Sequence, residues 1–238
     1  MKNKIKHIFE DNNIQISSEQ SSRLYHYYEL LIEWNKRINL TAITEYEEVI
    51  RKHFLDSAIL VNYLNQAYSD HKNRVLDLGT GAGFPGIVLA LFCPNYKFTL
   101  LDSLQKRIDF LKLVVSELEL NNVELYHGRA EDYGRKDEFR NQFDFVVSRA
   151  VAELPILMEY CIPFVKKDGL FISYKGAKYL DEIDTSRNAC LELNCNIENI
   201  EEFILDNIEK RYLLFIRNKE ITNEKYPRKS GKPKKKPL

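Results

Sequence analysis

Residues 74–86, R-V-L-D-L-G-T-G-A-G-F-P-G, constrain the fold of this chain more than any other stretch. A short apolar segment leads into glycines at alternate positions, Gly79, Gly81 and Gly83, and an apolar stretch follows over residues 87–92. Glycine accepts a positive φ, and it lets a ligand approach the backbone where a Cβ would block it. Backbone N–H groups in such a turn and at the start of a following helix face whatever binds there. These residues therefore predict a strand, a ligand-binding turn and a helix.

The chain from residue 74 onward is predicted to alternate between strands and helices. Predicted strands cover residues 74–78, 97–101, 123–126, 143–147 and 169–174, and predicted helices cover residues 85–92, 104–118, 154–162 and 179–193. Such alternation implies a parallel sheet with right-handed crossovers. Two later extended stretches, 197–205 and 212–217, are too close in sequence for a helical crossover and should form an antiparallel hairpin. We expect an α/β fold whose Rossmann-like sheet has seven strands and is mostly parallel.

The N-terminal part of the chain is predicted to be helical. Ser17 and Gln20 have the spacing of a capping box. Apolar residues at helical spacing follow between Leu24 and Ile38 and predict one buried helix face, while residues 35–43 are expected to form a loop.

Three regions are expected along the chain. They are a helical extension packed on the core (residues 1–70), a main domain (71–220) and a basic tail (221–238) whose Pro and Lys content favours an extended, flexible segment. Lys+Arg and Asp+Glu are equal at 35 each, but residues 225–238 carry seven basic residues and no acid, so the rest of the chain is near −7. This distribution predicts that the tail is attracted to a polyanion.

Composition excludes several classes of protein. An apolar content of 44% with 29% charged residues is typical of a soluble globular protein. No apolar run approaches the ~18 residues needed to cross a membrane, and the N-terminus lacks the apolar core of a signal peptide. The four cysteines show no C-x-x-C spacing, so we expect reduced thiols and no metal site. These features predict a cytoplasmic protein that does not associate with membranes.

Two cofactors are compatible with the glycine turn. Gly81, Gly83 and Gly86 have the G-x-G-x-x-G spacing of dinucleotide-binding turns, and Asp102 follows about 20 residues later. With Asp77 in front, the same letters resemble the first motif of class I S-adenosylmethionine-dependent methyltransferases. A dinucleotide-binding sheet would normally continue with another βαβ half, so the predicted hairpin favours the methyltransferase. An NAD-dependent oxidoreductase and a non-catalytic RNA-binding module on the same fold remain as alternatives.

Candidate site residues lie where the predicted strands end, because ligands of such sheets bind at the carboxyl ends of the strands. Asp102 can accept hydrogen bonds from both hydroxyls of a ribose, and Ala130 and Glu131 would flank an adenine. Arg149 is expected to orient substrate or cofactor, and Lys175 to contact an RNA phosphate or a guanine; a salt bridge to a structural acid is the alternative role of each.

The end of the fourth strand lacks the motifs of amine and cytosine methylation. Residues 148–152, S-R-A-V-A, stand where an Asn/Asp-Pro-Pro-aromatic or Pro-Cys motif would be needed. Guanine N7 carries an in-plane lone pair, and attack by it on a sulfonium methyl group needs positioning and no general base. We therefore assign no residue as a general base or nucleophile.

Several motifs together resemble one family. They are N-L-T-A-I (39–43), H-F-L-D-S (53–57), D-L-G-T-G-A-G-F-P-G (77–86), L-L-D-S-x-x-K-R (100–107), G-R-A-E-D (128–132), S-R-A-V-A (148–152) and the tail Y-P-R-K-x-G-x-P-x-K-x-P-L. The chain closely resembles the bacterial small-subunit ribosomal RNA methyltransferase G family, also called glucose-inhibited division protein B. This resemblance extends over essentially the whole chain.

The resemblance implies a cytoplasmic enzyme that uses S-adenosylmethionine to form 7-methylguanosine at one guanine of 16S ribosomal RNA. It implies a class I methyltransferase sheet and a monomer that acts on 16S ribosomal RNA or the small ribosomal subunit. Implied cofactor contacts are Gly79, Phe84, Ala130, Glu131 and Arg149, and the spacing adds Gly81 and Asp102. Candidate RNA contacts are Lys52, in a basic patch that is otherwise a solvated helix face, together with Lys175, Arg228, Lys229 and Lys232.

Overall fold

The computed structural model describes residues 2–67, 73–205 and 209–238. In chain order, the strands are β1 (Arg74–Leu78), β2 (Lys97–Asp102), β3 (Val123–His127), β4 (Phe143–Arg149), β5 (Val165–Lys175), β6 (Cys195–Leu205) and β7 (Glu209–Asn218). They form one seven-stranded sheet in the order β3-β2-β1-β4-β5-β7-β6, in which β1 to β5 are parallel and β7 is antiparallel to both of its neighbours. The predicted fold class is confirmed, and residues 206–208 of the hairpin turn lie outside the described residues.

Helices cover both faces of this sheet. In chain order they are α1 (Lys2–Asp11), α2 (Ser18–Ile38), α3 (Tyr46–Val49), α4 (Asp56–Ala58), α5 (Val61–Ala67), α6 (Gly86–Phe92), α7 (Gln105–Glu117), α8 (Ala130–Tyr133), α9 (Leu154–Cys161), α10 (Tyr179–Thr185), α11 (Arg187–Leu193) and α12 (Lys232–Lys235). Apolar residues of α1, α2, α6 and α7 form one buried cluster, and those of α9 and α11 form another. Val75 belongs to the first cluster and Leu76 to the second, because successive side chains of a strand point to opposite faces.

The order of the strands places the ligand site. The chain leaves β1 towards β2 and β3, and then returns to the other side of β1 to form β4. Ligands of open α/β sheets bind at such a reversal, outside the carboxyl ends of the strands. The glycine turn follows β1 directly, so it lies at this position.

The N-terminal helices differ from expectation at one boundary. The capping box of Ser17 and Gln20 is present, but α2 continues to Ile38, so the predicted loop over residues 35–43 begins late. Asn35 lies in the last turns of α2, and its side chain exchanges hydrogen bonds of 2.9 and 2.8 Å with the backbone of Thr41. This pairing folds the loop back onto the helix end, where Asn39 adopts a left-handed conformation with φ of 48°.

One further prediction differs in detail. The predicted helix over residues 179–193 is divided into α10 and α11 at Ser186, whose hydroxyl donates to the Glu182 carbonyl oxygen at 2.6 Å. The expected boundary between residues 70 and 71 lies outside the described residues. No helix in the described parts of the chain is long and apolar enough to cross a membrane.

The basic tail differs from the extended, flexible segment that its composition predicts. Residues 232–235 form the short helix α12, and Tyr226 and Pro233 are buried. Arg140 donates to the Tyr226 carbonyl oxygen at 2.7 Å and to the Thr222 carbonyl oxygen at 2.6 Å. Apolar burial and these hydrogen bonds hold the tail against the main domain, and neither can be inferred from the local composition.

Candidate functional site

The glycine turn has the backbone conformation that its sequence predicts. Gly79, Gly81 and Gly83 have φ values of 73°, 62° and 101°. A Cβ at Gly81 would find only a backbone oxygen at 4.0 Å, so this part of the turn is open to a ligand. A Cβ at Gly83 would instead clash with the Tyr27 hydroxyl and lie 2.6 Å from Ile87 Cγ1. Gly83 is therefore required by the packing of α2 against the turn, whereas we expected ligand access to require it.

Asp102 lies at the end of β2 beside the turn, and its side chain is almost fully buried. Its carboxylate accepts hydrogen bonds from the Gly81 N–H and the Leu104 N–H, each at 2.9 Å, and from Arg107 at 3.1 Å. These contacts fix the orientation of both carboxylate oxygens against the glycine turn.

A cavity of about 400 Å³ opens at this point, and we name it the Asp102 cavity. Four of the residues expected to bind the cofactor line it, namely Gly79, Asp102, Ala130 and Glu131. Gly81 hydrogen-bonds to Asp102 at its edge but is not part of the wall. The Glu131 side chain is buried, and its Oε1 accepts a hydrogen bond from the Gly231 N–H of the tail at 3.1 Å.

Phe84 lies in an aromatic cluster and does not line the Asp102 cavity. Its ring stacks on His53 with 4.8 Å between the centroids and packs against Tyr27 at 5.5 Å. The Arg149 guanidinium lies 5.3 Å from the centre of the Phe84 ring. In the structure Phe84 therefore supports Arg149 and joins the N-terminal helices to the glycine turn.

Arg149 ends β4 and faces a second cavity of about 670 Å³, which we name the Arg149 cavity. Its Nη1 donates to Asp56 Oδ2 at 2.6 Å and to the Lys52 carbonyl oxygen at 3.1 Å. Arg211 donates through Nε to the other oxygen of Asp56 at 3.0 Å. Asp56 is buried, so the two guanidinium groups compensate a carboxylate that water cannot solvate.

Sequence reasoning missed Asp56 and Arg211 as site residues. Asp56 stands in the H-F-L-D-S motif, so the motif was a usable signal. Arg211 is 155 positions away from Asp56 and has no motif of its own. It reaches the site only because β7 lies beside β5.

His53 lies between Arg149 and Thr41. Its Nδ1 lies 3.4 Å from Arg149 Nη2, which is a donor, and its Nε2 lies 2.7 Å from Thr41 Oγ1. Burial first, and then the neighbouring Arg149 charge, lower the pKa of His53 from 6.5 to about 4. The imidazole is therefore neutral at pH 7.

Lys175 ends β5 and also lines the Arg149 cavity. Its side chain is buried, and Nζ donates to the Ala152 carbonyl oxygen at 3.1 Å and to Glu182 Oε2. Lys52 lines the same cavity, but its Nζ lies at the surface and donates to Glu48 at 2.6 Å. Three of the residues expected to contact substrate, Arg149, Lys175 and Lys52, are thus brought together.

The two cavities adjoin at the loop after β4. Ala150 and Val151 line both of them. Ala150 has a φ of 56°, which turns the chain sharply at this point. Val151 lies over Gly79, where an added Cβ would come within 2.5 Å of Val151 Cγ2. A group held in one cavity can therefore face a group held in the other across these two residues.

The tail residues expected to contact RNA do not share one environment. The Arg228 guanidinium is bound to the carboxylate of Glu159, with Nε 2.8 Å from Oε1, and Glu159 has no exposed surface. This pairing raises the pKa of Arg228 and engages its Nε and Nη2, whereas the sequence predicts an RNA contact for this side chain. Lys229 and Lys232 are exposed.

The sequence of this chain is similar to that of one protein family. The family model described as rRNA small subunit methyltransferase G matches residues 20–211. A protein named "Ribosomal RNA small subunit methyltransferase G" from Lactococcus lactis subsp. lactis is 44% identical over 226 residues, which is 95% of this chain and 94% of that protein. A protein of the same name from Alkaliphilus metalliredigens is 46% identical over 224 residues, or 94% and 92% of the two chains.

Two solved structures share the fold. A SAM-dependent methyltransferase from Aquifex aeolicus superposes with a TM-score of 0.54 at 15% identity, over 75% of this chain and 96% of that one. The cofactor-bound Rv0187 from MTB superposes with a TM-score of 0.59 at 15% identity, over 84% and 90% of the two chains. The sheet and glycine turn described above, together with the match over most of the sequence, show that this chain belongs to the rRNA small subunit methyltransferase G family.

Proposed function

We propose that this protein transfers a methyl group from S-adenosylmethionine to N7 of one guanine in 16S ribosomal RNA. The observation that carries the proposal is the pair of adjoining cavities at the carboxyl ends of β1 and β4, in a member of a methyltransferase family. The Asp102 cavity would hold the cofactor and the Arg149 cavity the acceptor. Family membership favours this activity over an NAD-dependent oxidoreductase on the same fold.

The residues of the Asp102 cavity fit the proposed cofactor. Asp102 offers two carboxylate oxygens to ribose hydroxyls, and its hydrogen bonds to Gly81 and Leu104 hold it in place. Ala130 and Glu131 would flank the adenine, and the open space above Gly81 would admit the methionine part. When bound, S-adenosylmethionine supplies a sulfonium methyl group that a lone pair can attack.

The Arg149 cavity suits an acceptor that needs no activation. Cys161 is fully buried within α9, and burial raises the pKa of its thiol well above the ordinary value. His53 is neutral, and its ring is held between Thr41 and Phe84. Guanine N7 is already a lone-pair acceptor in the plane of the base, so the cavity need only position it. Arg149 would serve as a positioning residue at the junction with the Asp102 cavity.

The larger substrate would contact the basic groups around this opening. Lys52 lies on the Arg149 cavity with its Nζ at the surface, and Lys229 and Lys232 are exposed on the tail that contacts Glu131. Lysines bind phosphates as point charges. We propose a cytoplasmic monomer whose substrate is 16S ribosomal RNA, either free or within the small ribosomal subunit.

Nucleoside mass analysis of small-subunit ribosomal RNA tests this function. Deletion of the gene should remove one 7-methylguanosine, and the wild-type gene should restore it. Asp102→Ala should fail to restore it, because the ribose contact and the anchor of the turn are both lost. Asp109→Ala removes an exposed carboxylate from α7 and should restore methylation fully.

A purified protein provides the second measurement. S-adenosylmethionine should raise the melting temperature of the wild type and of Asp109→Ala, and NAD should not, because a ligand stabilises the folded state that binds it. An unchanged 7-methylguanosine content in the deletion strain would contradict the proposed activity. Stabilisation by NAD alone would favour the oxidoreductase.

A further inference from the structure

The wall of the Arg149 cavity contains a lysine–glutamate pair whose role the proposed methyl transfer leaves open. Glu182 comes from α10, and its side chain is 23% exposed, whereas Lys175 is 8% exposed. Glu182 Oε2 accepts from Lys175 Nζ and from the Leu154 N–H at 2.7 Å. Within the described residues, Oε1 receives no hydrogen bond, so Glu182 presents one fixed acceptor beside one buried ammonium group.

The other acids of the cavity are less suited to bind a ligand. Both oxygens of Asp56 are bound by Arg149 and Arg211. Glu153 also lines the cavity, but it is exposed, and among the described residues no hydrogen bond of its side chain holds it in one orientation at the start of α9. Glu182 is held by two donors, so little conformational entropy would be lost when it binds a ligand.

This pair matches the Watson–Crick edge of guanine. That edge presents two donors, N1–H and N2–H₂, next to one acceptor, O6. A carboxylate accepts from the two donors, and an ammonium group donates to the acceptor. Adenine would present its N1 lone pair to the carboxylate and its amino group to the ammonium, so both contacts would be repulsive.

We propose that Glu182 and Lys175 bind the Watson–Crick edge of the target guanine. Glu182 Oε1 accepts from N1–H and N2–H₂, and Lys175 Nζ donates its remaining hydrogen to O6. N7 lies on a different edge of the base, so it is left without a hydrogen bond and faces Ala150 and Val151, where the two cavities meet. The inference rests on the proposed function and names the residues that select guanine for it.

The test compares guanosine with inosine at the methylated position. Inosine lacks the N2 amino group and keeps N7 and O6. The substrate is 16S ribosomal RNA ligated from two fragments, one of which carries guanosine or inosine at the nucleotide mapped in the deletion strain. The quantity measured is the ratio of kcat/KM for the two RNAs.

The wild type should prefer guanosine by about 10- to 100-fold, because the amino group donates to a charged acceptor. Glu182→Gln should bring the ratio close to one, since the amide no longer supplies a charged acceptor to both N–H groups. Asp181→Asn changes the neighbouring exposed acid of α10 and should keep the wild-type ratio. A purely structural role of Glu182 would lower both rates equally and leave the ratio unchanged.

Each other outcome is decisive. A wild type that methylates guanosine and inosine equally well, or a Glu182→Gln variant with the full preference, overturns the inference. Loss of the preference in Glu153→Gln in place of Glu182→Gln also overturns it. If Glu182→Gln does not melt cooperatively, the inference is tested by the kcat/KM ratios for guanosine and inosine RNA of the wild type and of Glu182→Asp. A wild type that methylates the guanosine RNA neither free nor assembled into the small ribosomal subunit contradicts the proposed function itself.

Discussion

Asp77 and Gly86 lie against each other beneath the glycine turn. Asp77 is fully buried, and its Oδ2 accepts a hydrogen bond from the Gly86 N–H at 2.7 Å. Burial raises the pKa of Asp77 to about 7. A Cβ at Gly86 would lie 2.6 Å from Asp77 Oδ2 and 2.9 Å from Leu100 Cγ. Glycine at this position therefore allows α6 to start directly against the end of β1.

We predict that Gly86→Ala lowers the free energy of unfolding by about 1–3 kcal/mol, as expected when a methyl group is forced into a packed interior. Gly176→Ala is the matched control, because a Cβ there would meet nothing within 4 Å. Its effect should stay within about 0.5 kcal/mol. Urea denaturation of the two variants measures both values. If Gly86→Ala were no less stable than Gly176→Ala, the contact between α6 and β1 would be able to relax without cost.

At the scale of elements, the tail is joined to α9 by one buried ion pair. Glu159 has no exposed surface, and it accepts from the Arg228 N–H and Nε at 2.8 Å each, as well as from Nη2. Arg228→Gln would leave the carboxylate buried without a counter-charge. Its free energy of unfolding should therefore fall by about 3–5 kcal/mol. Thermal and urea denaturation measure this loss.

Lys229→Gln is the control for this prediction. Lys229 follows Arg228 directly and is exposed, so its replacement should change the free energy of unfolding by at most about 0.5 kcal/mol. Lys229→Gln should instead lower the affinity for RNA, because it removes an exposed positive charge from the tail. If Arg228→Gln were no less stable than Lys229→Gln, Arg228 would again be a candidate RNA contact.

At the scale of the whole molecule, charge is separated between the tail and the rest of the chain. The seven basic residues of the tail balance an excess of acids elsewhere. We predict that a double variant, Lys234→Gln with Lys235→Gln, flattens the salt dependence of RNA binding. The slope of log K against log salt should change by up to about 1.8, because each neutralised phosphate contributes roughly 0.7–0.9. Affinity for S-adenosylmethionine should not change, because neither lysine lines the Asp102 cavity.

Lys97→Gln with Lys219→Gln is the matched control for the tail. Both lysines are exposed at the amino-end edge of the parallel strands, opposite the site. Binding titrations at several salt concentrations give the slope for each protein. An unaltered slope in the tail variant, or an equal change in the control, would show that the tail does not contact phosphates.

Local patterns in the sequence were sufficient for the sheet, the glycine turn and the residues after β2 and β3. Strand and helix periodicity depends on near neighbours, and parallel strands bring their carboxyl ends to one edge whatever the rest of the chain does. Strand direction alone therefore predicted that Asp102, Ala130 and Glu131 lie together, and all three line the Asp102 cavity. The motifs also identified the family, which the match over residues 20–211 confirms.

The second half of the site was decided by tertiary structure. Asp56, Arg149 and Arg211 meet although they lie in the N-terminal helices, β4 and β7. The requirement for glycine at position 83 comes from Tyr27 in α2, and the environment of Arg228 comes from Glu159 in α9. The sequence by itself determined which elements form and which edge of the sheet binds ligands, because both follow from short-range periodicity and strand direction. Only the packing of distant elements decided which charged side chains are buried together, because a charged side chain is desolvated only when those elements pack around it.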